Sequence, residues 1–339
     1  MLRAFFAALC FFAAPSARAQ NASDFYRGKT IEISVGTGPG GGYDLSARLL
    51  ARHFGRFVPG NPNVVVVNTP GGGGIVAANQ LFNVAPKDGL FLGVFSNAML
   101  TEPLFGAGTA KFDARRFGWI GSMSREDVVC AASRASGVAS WNDLRGRRLV
   151  VGSTAPGTTT YLYPMLLNRL LGADLKFVSG YADGSQVALA LERGEVELIC
   201  QNYSSMRVAH VDWIASGFVK PIVYVGLAAN PDLPGVPTIG DLAPDAEARA
   251  ILKVVLAPVA AGRPFAAPPS IPAERLAALR RAFSDMTADP AFLVDAGKSR
   301  LESSPMAGAG MDDLLRDIYA ASPETLARVR ALVAAVETR

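Results

Sequence analysis

Two histidines, His53 and His210, are all the imidazole in 339 residues, and neither stands at a metal-ligand or nucleophile-base spacing from a partner. No G-x-S-x-G, C-x-x-C or H-E-x-x-H motif occurs, and the acidic residues show no pairing suited to general acid-base work. Hydrolytic, redox and metal chemistry therefore have no recognisable constellation, and neither a catalytic residue nor a metal site is assigned. Glycine is what the sequence does arrange. Three glycine- or hydroxyl-rich loops, Thr37 to Asp44, Thr69 to Gly74 and Ser153 to Thr159, each follow an apolar run. Such loops let backbone N–H groups approach a ligand, and a helix N-terminus behind them carries roughly half a positive charge, so an anion is the natural guest.

The segment Gly36 to Gly41 also satisfies G-x-G-x-x-G, which raises a dinucleotide site. That site wants an acidic residue at the end of the second strand to hold a ribose, whereas the run Val64 to Val67 ends in Asn68. Neither loop is followed by Gly-Lys-Ser/Thr, which excludes a P-loop, and no cofactor is expected. Asp44 reads as a helix cap within the binding loop. His53 and His210 read as helix-surface or packing residues, and Trp119, Trp141 and Trp213 as packing residues.

The elements that hold these loops follow from periodicity. Thr30 to Val35 alternates as a strand, and a helix follows with Leu45, Leu49, Leu50, Phe54 and Phe57 on its buried face and Ser46, Arg48, Arg52 and Arg56 on the other. Val64 to Val67 reads as a strand buried on both faces, Ile75 to Leu81 as a helix, and Leu90 to Phe95 as a third strand. The alternation implies a parallel α/β unit. A second unit begins near Ile120, with strands at Val128 to Ala132, Arg148 to Gly152, Leu175 to Val178, Val196 to Cys200 and Ile222 to Val225. Its helices are expected at Tyr161 to Leu171, Ser185 to Arg193 and Met206 to Ile214, and the C-terminal third at Ala273 to Met286 and Met311 to Val333. A return of this tail to the first unit creates a two-stranded hinge. The expected division is lobe 1 over 20–120 plus 226–339 and lobe 2 over 121–225.

The first nineteen residues carry an export signal: Arg3, the apolar run Ala4 to Ala14, and the small-x-small box Ala17-Arg18-Ala19, with cleavage after Ala19. The run is too short to span a bilayer, and Ala8-Leu9 before Cys10 lacks a lipobox residue. The chain's formal charge of +4 falls to +2 without Arg3 and Arg18, and the basic residues form no aromatic-interleaved cluster, so nucleic acid is not an expected partner. Cys130 and Cys200 remain; they can pair in an oxidising compartment, but their apolar runs favour buried free thiols.

The order of motifs resembles the tripartite tricarboxylate transporter solute-receptor family, the Bug or TctC-like periplasmic binding proteins. It is carried by Phe25 to Ile31, Pro39 to Asp44 with Ala47-Arg48-Leu49, Pro70 to Gly74, Lys87-Asp88-Gly89 and Ala155 to Thr159. Arg193 to Val196, Leu233 to Thr238, Ile271 to Arg275 and Asp289 to Phe292 continue it over nearly the whole chain. The resemblance implies an α/β, two-lobed type II periplasmic-binding-protein fold, each lobe a mainly parallel sheet flanked by helices, joined by hinge strands. It implies a small carboxylate ligand, membrane permease subunits as partners, a monomer and no enzymatic activity. Carried over, the clamp sets Thr37, Gly40, Gly41, Tyr43 and Asp44 opposite Ser153, Gly157, Thr158 and Thr159, with Ser96 and Asn97 at a third strand end. The chain departs from the family pattern at Gln201-Asn202-Tyr203 and at Gly42, which lengthens the first loop. A ligand-sensing domain serving a membrane kinase differs from this reading only in its partner, and an exported hydrolase would need a base or metal the sequence does not supply.

Overall fold

Eleven strands form two sheets in a computed structural model that describes residues 22–40, 42–105, 108–154, 158–181, 184–226, 229–299, 301 and 303–334. The leader 1–19 with its cleavage point, Gly41 and Gly157 lie outside the described residues. Strands β1 (Thr30–Val35), β2 (Asn63–Asn68), β3 (Phe91–Val94), β4 (Gly118–Ser122), β10 (Pro264–Ala267) and β11 (Met306–Ala307) make the first sheet, in the order β11-β4-β10-β3-β1-β2. Strands β5 (Val128–Ser133), β6 (Arg148–Ser153), β7 (Asp174–Ser179), β8 (Leu198–Asn202) and β9 (Val219–Val225) make the second, in the order β7-β6-β8-β5-β9. Both sheets are mixed rather than mainly parallel. β1 pairs in parallel with β2 and β3, and β6 with β7 and β8, but β10, β11, β5 and β9 enter antiparallel, because the chain leaves and re-enters each sheet at these strands.

Alternation along β1 buries Ile31, Ile33 and Val35 against Leu49, Leu50 and Phe54 of the helix Gly42–Phe54. Burying Phe54 alone is worth about 2–3 kcal/mol. The expected face of that helix is rotated. Leu45 is 44% exposed and Ser46 is buried, because Ser46 turns toward Arg263 while Leu45 forms part of a cavity wall between the sheets. β2 is not buried on both faces as its valine run suggested. It closes the edge of the sheet, where Val64 and Val66 pack on the core and Val65 and Val67, each 43% exposed, face outward. The stretch Met311 to Val333 is two helices, Gly308–Tyr319 and Pro323–Ala334, since a proline cannot continue the first. Met206 to Ile214 likewise divides into Tyr203–Ala209 and Asp212–Ala215, with His210 at the break stacked on Trp213 at 3.8 Å.

Cys130 and Cys200 are joined as a disulfide, against the expectation of free thiols. They face each other in the antiparallel register of β5 and β8, which the sequence, 70 residues apart, did not reveal.

Two crossings connect the sheets. The outgoing one is the five residues Met123 to Asp127. The return runs through the helix Ala246–Ala261 rather than through a strand, and the crossings bond to each other: Glu126 N–H to the Val259 carbonyl at 2.9 Å, Met123 N–H to the Arg263 carbonyl at 3.4 Å. Gly262 makes this approach possible, with φ at +48° and no space for a Cβ against the Ser124 carbonyl. One apolar cluster runs from Phe95 and Trp119 of the first sheet's side, through Leu252 and Val255 of the return helix, to Cys130 and Val151 of the second.

Candidate functional site

The first loop leaves β1 and is braced from beneath by Asp44, whose side chain is 2% exposed. Its Oδ2 accepts from the Gly40 N–H at 2.8 Å and from Arg48 Nε at 3.0 Å, and its Oδ1 from Asn68 Nδ2 at 2.9 Å. Asn68 Nδ2 also donates to the Thr37 carbonyl at 3.0 Å, and Arg48 Nη2 donates to Asn68 Oδ1 at 3.1 Å. Arg48, then Gly40 and Asn68, hold the Asp44 carboxyl down at about 2. Asp44 thus shapes the loop from within the scaffold. Thr37 Oγ1 is buried with no hydrogen-bond partner among the described residues.

Tyr43 and Asn97 meet at the end of β3, where the Asn97 N–H donates to the Tyr43 hydroxyl at 3.1 Å. Ser96 caps the short turn at Asn97–Leu100 through the Ala98 N–H. Asn97 Nδ2 reaches Glu126 Oε2 at 3.1 Å, which ties this strand end to the outgoing crossing. Burial raises the Glu126 carboxyl above its ordinary value, opposed by Asn97, Arg263 and Tyr43. Burial and then the Glu126 charge push the Tyr43 phenol upward as well.

On the second sheet, Ser153 is fully buried and its hydroxyl is spent on Ser179 at 2.7 Å, joining β6 to β7. Thr158 precedes the helix Thr159–Leu171, and its hydroxyl lies in a chain with Thr154 at 2.9 Å and Thr160 at 3.1 Å. Thr159 lines a cavity of about 300 Å³ with Thr160, Gly184, Ser185, Gln201, Asn202 and Glu126. Two helices, Thr159–Leu171 and Gly184–Glu192, begin on this cavity. Gln201 Nε2 is buried there without a partner among the described residues.

A second cavity of about 360 Å³ adjoins it, sharing Glu126, Asn202, Ser205 and Ala209. Its walls are Gly42, Leu45, Arg263 and Leu301 from the first sheet's side and Asn202, Ser204 and Ser205 from the second's, with Ser124 to Glu126 between. A larger cavity of about 710 Å³, lined by Asp127, Tyr224 and Asn230 among others, receives none of the glycine-loop residues.

Of the residues expected from sequence, Thr37, Gly40, Tyr43, Asp44 and Asn97 belong to one bonded neighbourhood around the first loop. Thr158 and Thr159 stand at the second loop, and Glu126 bridges toward both. Glu126 and Arg263 were missed. Their only signal is position: Ser124-Arg125-Glu126-Asp127 is a polar run between two apolar strands, and Arg263 interrupts the apolar passage from helix to β10. No helix among the described residues is long and apolar enough to cross a membrane, and no group of three metal-ligating side chains occurs among them.

No protein-family model and no curated protein matches the sequence. Solved structures do match. A TctC solute binding protein from Polaromonas superposes with a TM-score of 0.72 at 18% identity, covering 91% of this chain and 99% of that one. An R. palustris protein with adipate gives 0.62 at 19% identity over 89% and 97%. MatC from Rhodopseudomonas palustris with bound malate gives 0.58 at 19% identity over 90% and 99%. At these identities the likeness is one of fold, and this chain has the two-lobed type II α/β fold of TctC-type periplasmic solute-binding proteins.

Proposed function

We propose that this chain is an extracytoplasmic solute-binding receptor that captures a small carboxylate between its two lobes and delivers it to the permease subunits of a tripartite tricarboxylate-type transporter. One observation carries the reading: two helix N-termini, with the Gln201 amide that has no partner among the described residues, open on a cavity on the second sheet's side of the crossing, a donor set suited to an anion, and that cavity adjoins the one walled from both sheets. The first loop, stiffened by Asp44 and Asn68, reaches the same crossing through Gly42, which lines a cavity with Ser124 to Glu126. The adipate and malate held by structures of this fold are ligands of that class. The lobes are taken as 20–120 with 226–339, and 121–225. The protein acts as a monomer without turnover, exported to the periplasm and cleaved after Ala19.

Thermal-shift measurements against mono-, di- and tricarboxylates test this. A ligand at a hundredfold excess over Kd stabilises the native state by about 2.7 kcal/mol, a rise of roughly 3–6 °C for a chain of this size. Shifts produced by sugars or cationic amino acids, with none from carboxylates, would refute the ligand class.

A further inference from the structure

Arg263 stands in the wall of the 360 Å³ cavity at the point where the return crossing enters β10. Its backbone N–H is anchored to Ser122 Oγ at 3.0 Å, and Nη1 donates to Ser46 Oγ at 3.0 Å. A guanidinium carries five N–H donors in a planar fork, so this single side-chain bond leaves most of them unspent. Among the described residues no carboxylate lies within ion-pair distance of it. Glu126 is the one carboxylate that lines the same cavity among the described residues; its charge is felt across it by Arg263, but its hydrogen bond goes to Asn97.

The glycine at the head of the helix Gly42–Phe54 explains how the guanidinium fits. A Cβ on Gly42 would meet Nη2 at 2.8 Å and Cζ at 3.2 Å, so the fork lies flat across a bare backbone. Gly42 has no positive φ, and it occupies the first turn of the helix, where alanine is conformationally welcome. A Cβ there would strain no backbone and would instead displace the guanidinium, the movable end of the Arg263 side chain, from its present place.

We propose that Arg263 is a direct, charged contact for the ligand's carboxylate, held in the cleft by Ser46 and admitted there by Gly42. The inference rests on the carboxylate reading and adds to it. Backbone amides and helix ends recognise an anion in the second lobe, while a fork-shaped cation meets it from the first, so closure of the lobes brings both onto one ligand. A planar carboxylate matches that fork in a way a hydroxyl or a sugar does not.

Calorimetry with succinate, L-malate and adipate on the full processed protein tests it. Wild type is expected to bind at least one probe, with an affinity that falls as salt rises. Arg263→Gln should weaken that probe about thirtyfold or more and flatten the salt dependence. Arg263→Lys should weaken it about tenfold, since a point charge replaces the fork. Gly42→Ala should weaken binding in the same direction with every charge retained, and it carries the test together with Arg263→Lys if Arg263→Gln does not fold. A folded Arg263→Gln protein that binds the probe with wild-type affinity and salt slope, even with a lowered melting temperature, would reduce Arg263 to a structural role and overturn the inference alone. Wild type indifferent to all three probes and to the mono- and tricarboxylates of the thermal-shift panel overturns the carboxylate reading and the inference with it.

Discussion

Replacing Asp44 with asparagine removes the charge that organises the first loop while keeping its shape. The wild-type carboxylate accepts from Gly40, Arg48 and Asn68, and its pKa drops from 3.8 to about 2. Each unit is worth about 1.4 kcal/mol, and the half-exposed Arg48 guanidinium is screened by solvent, so about 1.5–2 kcal/mol of stability resides in the ionised form. An asparagine amide has one oxygen, so its N–H group faces at least one of the donors Gly40, Arg48 and Asn68, which adds a further ~1 kcal/mol at neutral pH. The sign is set by the lowered pKa. The contribution is complete above the unfolded value of 3.8 and disappears as pH falls through the folded value near 2. Urea unfolding of wild type and Asp44→Asn should therefore show a gap of roughly 2–3 kcal/mol at about pH 5 and above that narrows toward pH 2. A gap that stays constant through that window would show that Asp44 acts by packing, and the account of the loop as electrostatically braced would fail.

Glu126 has the opposite sign. Burial raises its pKa above 4.5, so its charged form weighs against the fold as pH climbs above that value, and Glu126→Gln should gain stability relative to wild type as pH rises from 4.5; equal pH profiles for the two proteins would count against it. Opening the Cys130–Cys200 bridge by Cys130→Ala with Cys200→Ala should lower stability by about 4 kcal/mol, since the bridge closes a loop spanning 70 residues. Thiol titration of the denatured wild type, which should find none free in the exported protein, checks the pairing itself. Gly262→Ala forces a side chain into the Ser124 carbonyl at a left-handed φ, and strain of about 1–3 kcal/mol plus the overlap should appear as a lowered melting temperature. A normal melting curve would mean that the crossing is looser than its bonds imply.

Much of this protein is written locally. The alternation Thr-Ile-Glu-Ile-Ser-Val makes β1, and the phase of Leu49, Leu50 and Phe54 makes the helix after it, because periods of two and 3.6 residues report which face is buried. The glycine loops at the ends of β1 and β6 were legible for the same reason: the residues that permit close backbone approach lie within a few positions of one another. What depends on partners distant in sequence was not. Val65 and Val67 face solvent because β2 is the last strand of its sheet, a fact of strand order that a valine run does not encode. Cys130 meets Cys200 through the register of β5 and β8. Glu126 and Arg263 come to line one cavity because the two crossings pair there, with 136 residues of chain between them folded into the second sheet and the return helix. A single side chain in a crossing carries no periodicity, so only the tertiary structure could bring that acid and that base to the cleft.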